Sequence, residues 1–174
     1  MKKNLFFLLA FILLGVQSYS SHFAGGNIYY DCLGNNQYRL WVEFTLDCLR
    51  STSAQASVNI TASNSCGYAN PTITLPVVNS AGLDVSQVCP SQLPNTRCNS
   101  GGTVDGRRRY IYSGVVTLQP CNTWTFGLGL NARNNAVVNL STNGTMYLET
   151  TMNSVTDTCN NSVRYTGVQN PYVC

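Results

Sequence analysis

The sequence has a single histidine, His22, and no lysine after Lys3. A nucleophilic triad or a Cys/His zinc site needs a positioned imidazole. His22, in "SSHFAGG", stands within a few residues of the expected mature N-terminus, where order is least assured. No two cysteines are spaced C-x2-C, which sets aside zinc ribbons and thioredoxin-like redox motifs. No Gly-rich phosphate loop leads from a strand into a helix, and no window sustains a 3.6-residue period. A second long apolar run is also missing, so no membrane span is expected in the mature chain. Once the leader is removed, eight arginines face seven acids, a net charge of about +1. Near-neutrality argues against bulk electrostatic partners such as nucleic acid or anionic membrane.

The leader itself is clear. "MKKNLFFLLAFILLGVQSYS" offers Lys2 and Lys3, an apolar run from Leu5 to Val16, and Ser18-Tyr19-Ser20. That is the three-part pattern of a secretory signal peptide, with cleavage expected after Ser20. Residues 21–174 are expected to form a single exported domain, large enough for a real core.

Period-2 alternation dominates the chain beyond the leader. In "QYRLWVEFTLDC" the even positions Tyr38, Leu40, Val42, Phe44, Leu46 and Cys48 are apolar, and the odd ones are polar except Trp41. "RYIYSGVVTL" places Tyr110, Tyr112, Val116 and Leu118 on one face. "WTFGLGLN" and "MYLETTM" alternate in the same way. Shorter strands are expected at 27–32, 57–61, 72–77, 136–140 and 163–166. Gly34-Asn35-Asn36 and Asn143-Gly144 supply hairpin turns, and residues 82–104 read as a braced loop. About nine short strands separated by turns predict an all-β, disulfide-braced antiparallel β-sandwich with an immunoglobulin-like layout.

The eight cysteines are Cys32, Cys48, Cys66, Cys89, Cys98, Cys121, Cys159 and Cys174. An even count behind a signal peptide favours disulfides over metal. In a hairpin turning at Asn35-Asn36, Cys32 falls opposite Tyr38 or Arg39, and Cys48 lies on the order of 30 Å further on. These two therefore brace the hairpin to other parts of the domain instead of bonding each other. Proximity in sequence favours Cys89–Cys98 and Cys159–Cys174.

Candidate chemistry is sparse, and neither a catalytic residue nor a cofactor is expected. Glu43 and Asp47 share a strand face but sit about 13 Å apart, too far for a carboxyl pair, and with Asp31 they read as a solvated face. Asp157, Asn160 and Asn161 in "DTCNNS" offer oxygens without the spacing of an EF-hand, so a turn is expected and no metal is assigned. "GRRRY" reads as a solvated loop leading into a strand. Trp41, a large aromatic on a polar face, suggests a sugar-stacking platform with Tyr29 or Tyr147, or else a surface covered by a loop or the next domain. Four N-glycosylation patterns are read as accidents of an Asn/Ser/Thr-rich chain.

Four phrases carry a family resemblance: "SHFAGGNIYYDCLGNNQYRLWVEFTLDC", "VSQVCPSQLPNTRCNSGGTVDGRRRYIYSGVVTL", "CNTWTFGLGLNARNNAVVNL" and "CNNSVRYTGVQNPYVC". Read in order, they resemble the N-terminal domain of large exported adhesin-like proteins of Bacteroidetes, often labelled gliding-motility-associated. In that family the domain precedes immunoglobulin-like or PKD-like repeats and a sorting domain for type IX secretion. The family reads Cys-Cys-Arg-Asn where this chain has Asn131-Ala132-Arg133-Asn134, so one or two family bridges are expected to be absent or rewired. The sequence stops at Cys174, where relatives continue, which reads as a truncated gene or an excised domain; by itself the product would be expected to stay in the periplasm.

The resemblance implies a non-enzymatic, secreted or cell-surface domain, an adhesin head or structural cap. Its expected partners are a surface polysaccharide, a protein ligand or downstream repeats. The alternative is a carbohydrate-binding module using Trp41 with Tyr29 and Tyr147.

Overall fold

In the alternating stretch after the first turn, every second side chain is apolar, and a strand is the only regular structure that puts such a set on one side. The computed structural model describes residues 23–49, 53–131, 144–156 and 159–164. Among these, eight strands form: β1 (Phe23–Gly34), β2 (Gln37–Asp47), β3 (Ser57–Asn64), β4 (Thr72–Pro76), β5 (Leu83–Asp84), β6 (Arg107–Thr117), β7 (Trp124–Leu130) and β8 (Met146–Met152). The expected strand at 136–140 lies outside the described residues, and Val163 and Arg164 are not strand.

The strands make two four-stranded sheets, a front sheet ordered β1-β2-β6-β5 and a back sheet ordered β4-β3-β7-β8. Every pairing between strands is antiparallel. The fold is the expected all-β sandwich. Asn35 and Asn36, with φ of 51° and 58°, turn β1 into β2. Two successive positive φ values are what a tight hairpin needs, and asparagine tolerates them better than most residues. The turn sets Cys32 opposite Tyr38, as expected.

Between the sheets lies one core. Tyr38, Leu40, Val42, Phe44 and Leu46 project into it from β2 and meet Ile60, Leu75 and Phe126 from the back sheet. Phe44 stacks on Tyr112 of β6 with ring centroids 5.0 Å apart, and Phe23 packs edge-on against Phe44 at the same distance. Burying each such side chain contributes roughly 1.5–3 kcal/mol before the entropy of ordering it is subtracted.

Disulfides join Cys32 to Cys159, Cys48 to Cys98, and Cys66 to Cys121, with Cα separations of 5.2, 4.9 and 5.8 Å. Cys32 and Cys48 do reach to other parts of the domain. The expected pairs Cys89–Cys98 and Cys159–Cys174 are both wrong. The physical reason is register: β2 ends beside the start of β6, pairing Asp47 with Arg107. The loop that feeds β6 is therefore carried back to Cys48, whose N–H donates to the Gly106 carbonyl at 3.0 Å. Cys98 is nearer in space to Cys48 than sequence distance suggests. Cys89 is disulfide-bonded as well, and Cys174 lies outside the described residues.

The stretch expected to be a braced loop holds more structure than alternation revealed. It contains the two-residue β5 and a 3-10 turn over Pro90–Asn95. Three disulfides in an all-β fold suit an oxidising, extracellular or periplasmic setting. No helix among the described residues is long and apolar enough to cross a membrane.

Candidate functional site

Since the even residues of β2 point into the core, its odd residues Arg39, Trp41, Glu43 and Thr45 project from the outer face of the front sheet. Register then decides their neighbours. Tyr29 lies opposite Trp41, Asn27 opposite Glu43, and Asp31 opposite Arg39 on β1; on β6, Arg109 lies opposite Thr45.

Tyr29 and Trp41 stack with centroids 5.9 Å apart and planes 16° from parallel. The indole N–H of Trp41 donates to Asp31 Oδ2 at 2.7 Å, and the Tyr29 hydroxyl donates to Glu43 Oε1 at 2.6 Å. Both of these carboxylates, expected on a solvated face, are thus engaged by aromatic side chains. The segment Cys159–Arg164 then crosses β1 as a strap. Arg164 places its guanidinium 4.5 Å from the Tyr29 ring centroid and 5.3 Å from that of Trp41, and donates to the Tyr29 oxygen at 2.9 Å. Arg39 adds a second guanidinium 5.8 Å from the Trp41 centroid. Tyr29 is left only 2% exposed. Burial, then the hydrogen bond and charge of Glu43, push its phenol well above the ordinary value, against the opposing pull of Arg164.

The strap also finishes the sheet edge. Among the described residues β1 has a strand on one side only, so alternate backbone groups face outward. Ser162 N–H donates to the Tyr30 carbonyl at 3.0 Å, Tyr30 N–H donates to Ser162 Oγ at 2.8 Å, and Cys32 N–H donates to Asn161 Oδ1 at 2.7 Å. Cys32–Cys159 fastens the strap where it begins.

Tyr147 is not part of this cluster. It projects from the outer face of β8 in the back sheet, 59% exposed, with its phenol lying across Gly127. The structure therefore brings Tyr29 and Trp41 together and leaves Tyr147 on the other sheet. His22 and Asp157 lie outside the described residues. Asn161 belongs to the strap, and Asn160 Oδ1 is buried without a hydrogen-bond partner among the described residues.

Beside the aromatic cluster, the same face holds a groove of about 400 Å³. Its floor is Glu43 and Thr45 of β2. One wall is the start of β1, from Ala24 to Asn27; the other is Leu83 to Val85 with Gln87, and Arg107 and Arg109 of β6 reach in beside it. The arginine run, expected as a solvated loop, instead forms the first three residues of β6, and alternation separates its side chains. Arg108 donates to the Cys98 carbonyl at 2.7 Å, while Arg109 lies 3.6 Å from Glu43 Oε2. Sequence reasoning missed this groove, although a signal existed: the period of "RYIYSGVVTL", extended two residues back, sets Arg107 and Arg109 on one face.

Fold and face together define a disulfide-braced β-sandwich whose front sheet carries a strapped aromatic cluster next to an arginine-bearing groove. Comparison with protein-family models, with curated proteins and with solved structures finds no match to this chain.

Proposed function

We propose that the chain is an exported, non-enzymatic cell-surface domain, the N-terminal head of an adhesin-like or gliding-associated surface protein. The observation that carries this reading is where the covalent braces fall. Cys48–Cys98 closes the end of β2, Cys66–Cys121 ties the end of β3 to the approach to β7, and Cys32–Cys159 holds the strap against β1. All three fix rims and edges; the strap covers Tyr29 and Trp41 on the front sheet, and none of the three bonds crosses the remainder of either outer face. A domain that displays a surface outside the cell needs a fixed outline more than it needs moving parts. The resemblance of its four phrases to adhesin-like heads supports the same role, with a surface polysaccharide, a protein ligand or downstream repeats as partner.

A sugar platform made of Trp41, Tyr29 and Tyr147 together is not what the geometry favours. Tyr29 is buried, Tyr147 is on the other sheet, and Trp41 already carries Tyr29 and two guanidinium groups.

The test is adhesion. Beads coated with the oxidised chain, flowed over bacterial cells and over films of their surface polysaccharide, should be retained at least tenfold better than beads coated with the reduced and alkylated chain. Equal retention of the two would refute the adhesive role.

A further inference from the structure

We infer that the groove over β2 and β6 is a binding site for an acidic sugar, a uronate-type ring whose carboxylate is held by Arg107 and Arg109. The inference rests on the adhesive reading and names the ligand of that surface.

The charges in the groove are unequally engaged. Glu43 accepts the Tyr29 hydroxyl and faces Arg109. Asp84 accepts the Ser86 N–H at 3.0 Å and the Thr96 hydroxyl at 3.4 Å. The two carboxylates are thus occupied within the protein. The guanidinium groups are less fully engaged: among the described residues Arg107 is exposed and makes no ion pair, and Arg109 makes one, the 3.6 Å contact with Glu43. Arg109 keeps 32% of its side chain exposed, so a carboxylate entering the groove can reach its guanidinium. Two residues apart on one strand, the two side chains start about 6.6 Å from each other on the same face. That suits a shared, charge-assisted grip on one carboxylate.

The rest of the lining points to a sugar bearing that acid. Asn27, Thr45 and Gln87 interleave amide and hydroxyl groups with the arginines, and Glu43 offers acceptor oxygens. Such a set pairs with ring hydroxyls, which both donate and accept. Leu83, 51% exposed, supplies an apolar wall for the C–H face of a ring. The volume falls within the roughly 300–1,000 Å³ of small-molecule sites.

An acidic peptide fits less well. One common way for an extended peptide to bind is by adding to a free strand edge. Here the floor strands β2 and β6 are interior, each paired on both sides, so they have no free ladder to offer. Glu43 and Asp84 would also repel a run of carboxylates.

Calorimetric titration of the full chain with tetragalacturonate tests the assignment, with maltotetraose as the neutral sugar and tetraglutamate as the acidic peptide. Tetragalacturonate should bind, maltotetraose at least tenfold more weakly, and binding should weaken as salt is raised. Arg107→Gln should weaken tetragalacturonate binding at least tenfold. Its side chain is exposed, so its melting temperature should match the parent's; Gln87→Ala is a second variant, expected to lose severalfold. The assignment is overturned by no binding of tetragalacturonate at millimolar concentration. It is equally overturned by undiminished binding in Arg107→Gln, by equal binding of maltotetraose, or by tetraglutamate binding as tightly. Coated beads that adhere while the chain ignores tetragalacturonate would overturn the groove assignment alone. Tetragalacturonate binding by a chain whose beads do not adhere would support the groove and count only against the adhesive role.

Discussion

A Cβ added to Gly102 would stand 1.9 Å from the Thr96 carbonyl oxygen, inside the loop that Cys48–Cys98 fastens to β2. That oxygen belongs to the backbone and cannot swing aside. Gly102→Ala should therefore cost about 2–4 kcal/mol in urea unfolding, through overpacking of a pinned loop. Gly129→Ala, where the added carbon would meet only Thr145 Cγ2 at 3.7 Å, should be neutral or mildly stabilising. Equal effects at the two sites would refute the close approach. Single tyrosines also set how the protein responds to alkali. Tyr112 is fully buried, and burial, opposed by a hydrogen bond with the Gln55 backbone, pushes its pKa up to about 12. Burial also raises Tyr38 and Tyr110, and burial together with Glu43 raises Tyr29. An unfolded phenol ionises near pH 10. Between there and the raised folded value, the folded chain keeps protons that the unfolded chain has released. Stability is thus intact below about pH 10 and falls above it, by about 1.4 kcal/mol per unit for each such tyrosine. The melting temperature should be insensitive to these groups up to about pH 10 and then drop, with the 295 nm absorbance of these phenols rising as the protein unfolds. Their ionisation near pH 10 in a chain that stays folded would contradict the burial assigned to them.

Beyond the Cys32–Cys159 bond at its start, the strap meets β1 through polar contacts that should be separable. Ser162→Ala removes the acceptor of the Tyr30 amide while leaving the Ser162 N–H bond to the Tyr30 carbonyl. The loss should be about 1–2 kcal/mol, the usual cost of stranding a buried donor. Arg164→Ala should leave the global melt nearly unchanged yet make Trp41 more accessible to acrylamide quenching, since it lifts one guanidinium from the ring. Unchanged quenching would mean that the strap does not shield the indole. The strands themselves were legible because alternation over Tyr38 to Cys48 is a local property, and the Asn35-Asn36 turn fixed the β1–β2 register with it. β5 was not, since a two-residue strand has no period to detect. Trp41 stood out for breaking the pattern, but its partner Arg164 comes from a segment far along the chain. The groove was invisible for a similar reason: its lining comes from β1, β2, β6, β5 and the residues just after β5, and only the sheet order brings them together.

At the scale of the molecule, the disulfides Cys32–Cys159, Cys48–Cys98 and Cys66–Cys121 span 127, 50 and 55 residues of sequence. If loop-closure entropy alone decided, opening Cys32–Cys159 would cost the most, but only by about 0.8 kcal/mol over the shortest loop, because the dependence on length is logarithmic. Packing works the other way. Cys48, Cys98 and Cys121 are buried in the apolar interior, whereas Cys32 is only partly buried at the edge of the front sheet. Replacing a buried sulfur by a smaller group leaves a void worth on the order of 1 kcal/mol or more, which outweighs the difference in loop length. Paired alanine substitutions at Cys48 and Cys98 should therefore lower global stability at least as much as those at Cys32 and Cys159. The latter pair should show its effect locally, since without the bond the strap's described contacts are those of Ser162, Asn161 and Arg164. Urea unfolding followed by far-ultraviolet circular dichroism reports the first effect, and acrylamide quenching of Trp41 in native buffer reports the second. A larger global loss from the Cys32/Cys159 pair would mean that closing the longest loop, and not filling the interior, is what the covalent braces chiefly contribute to this sandwich.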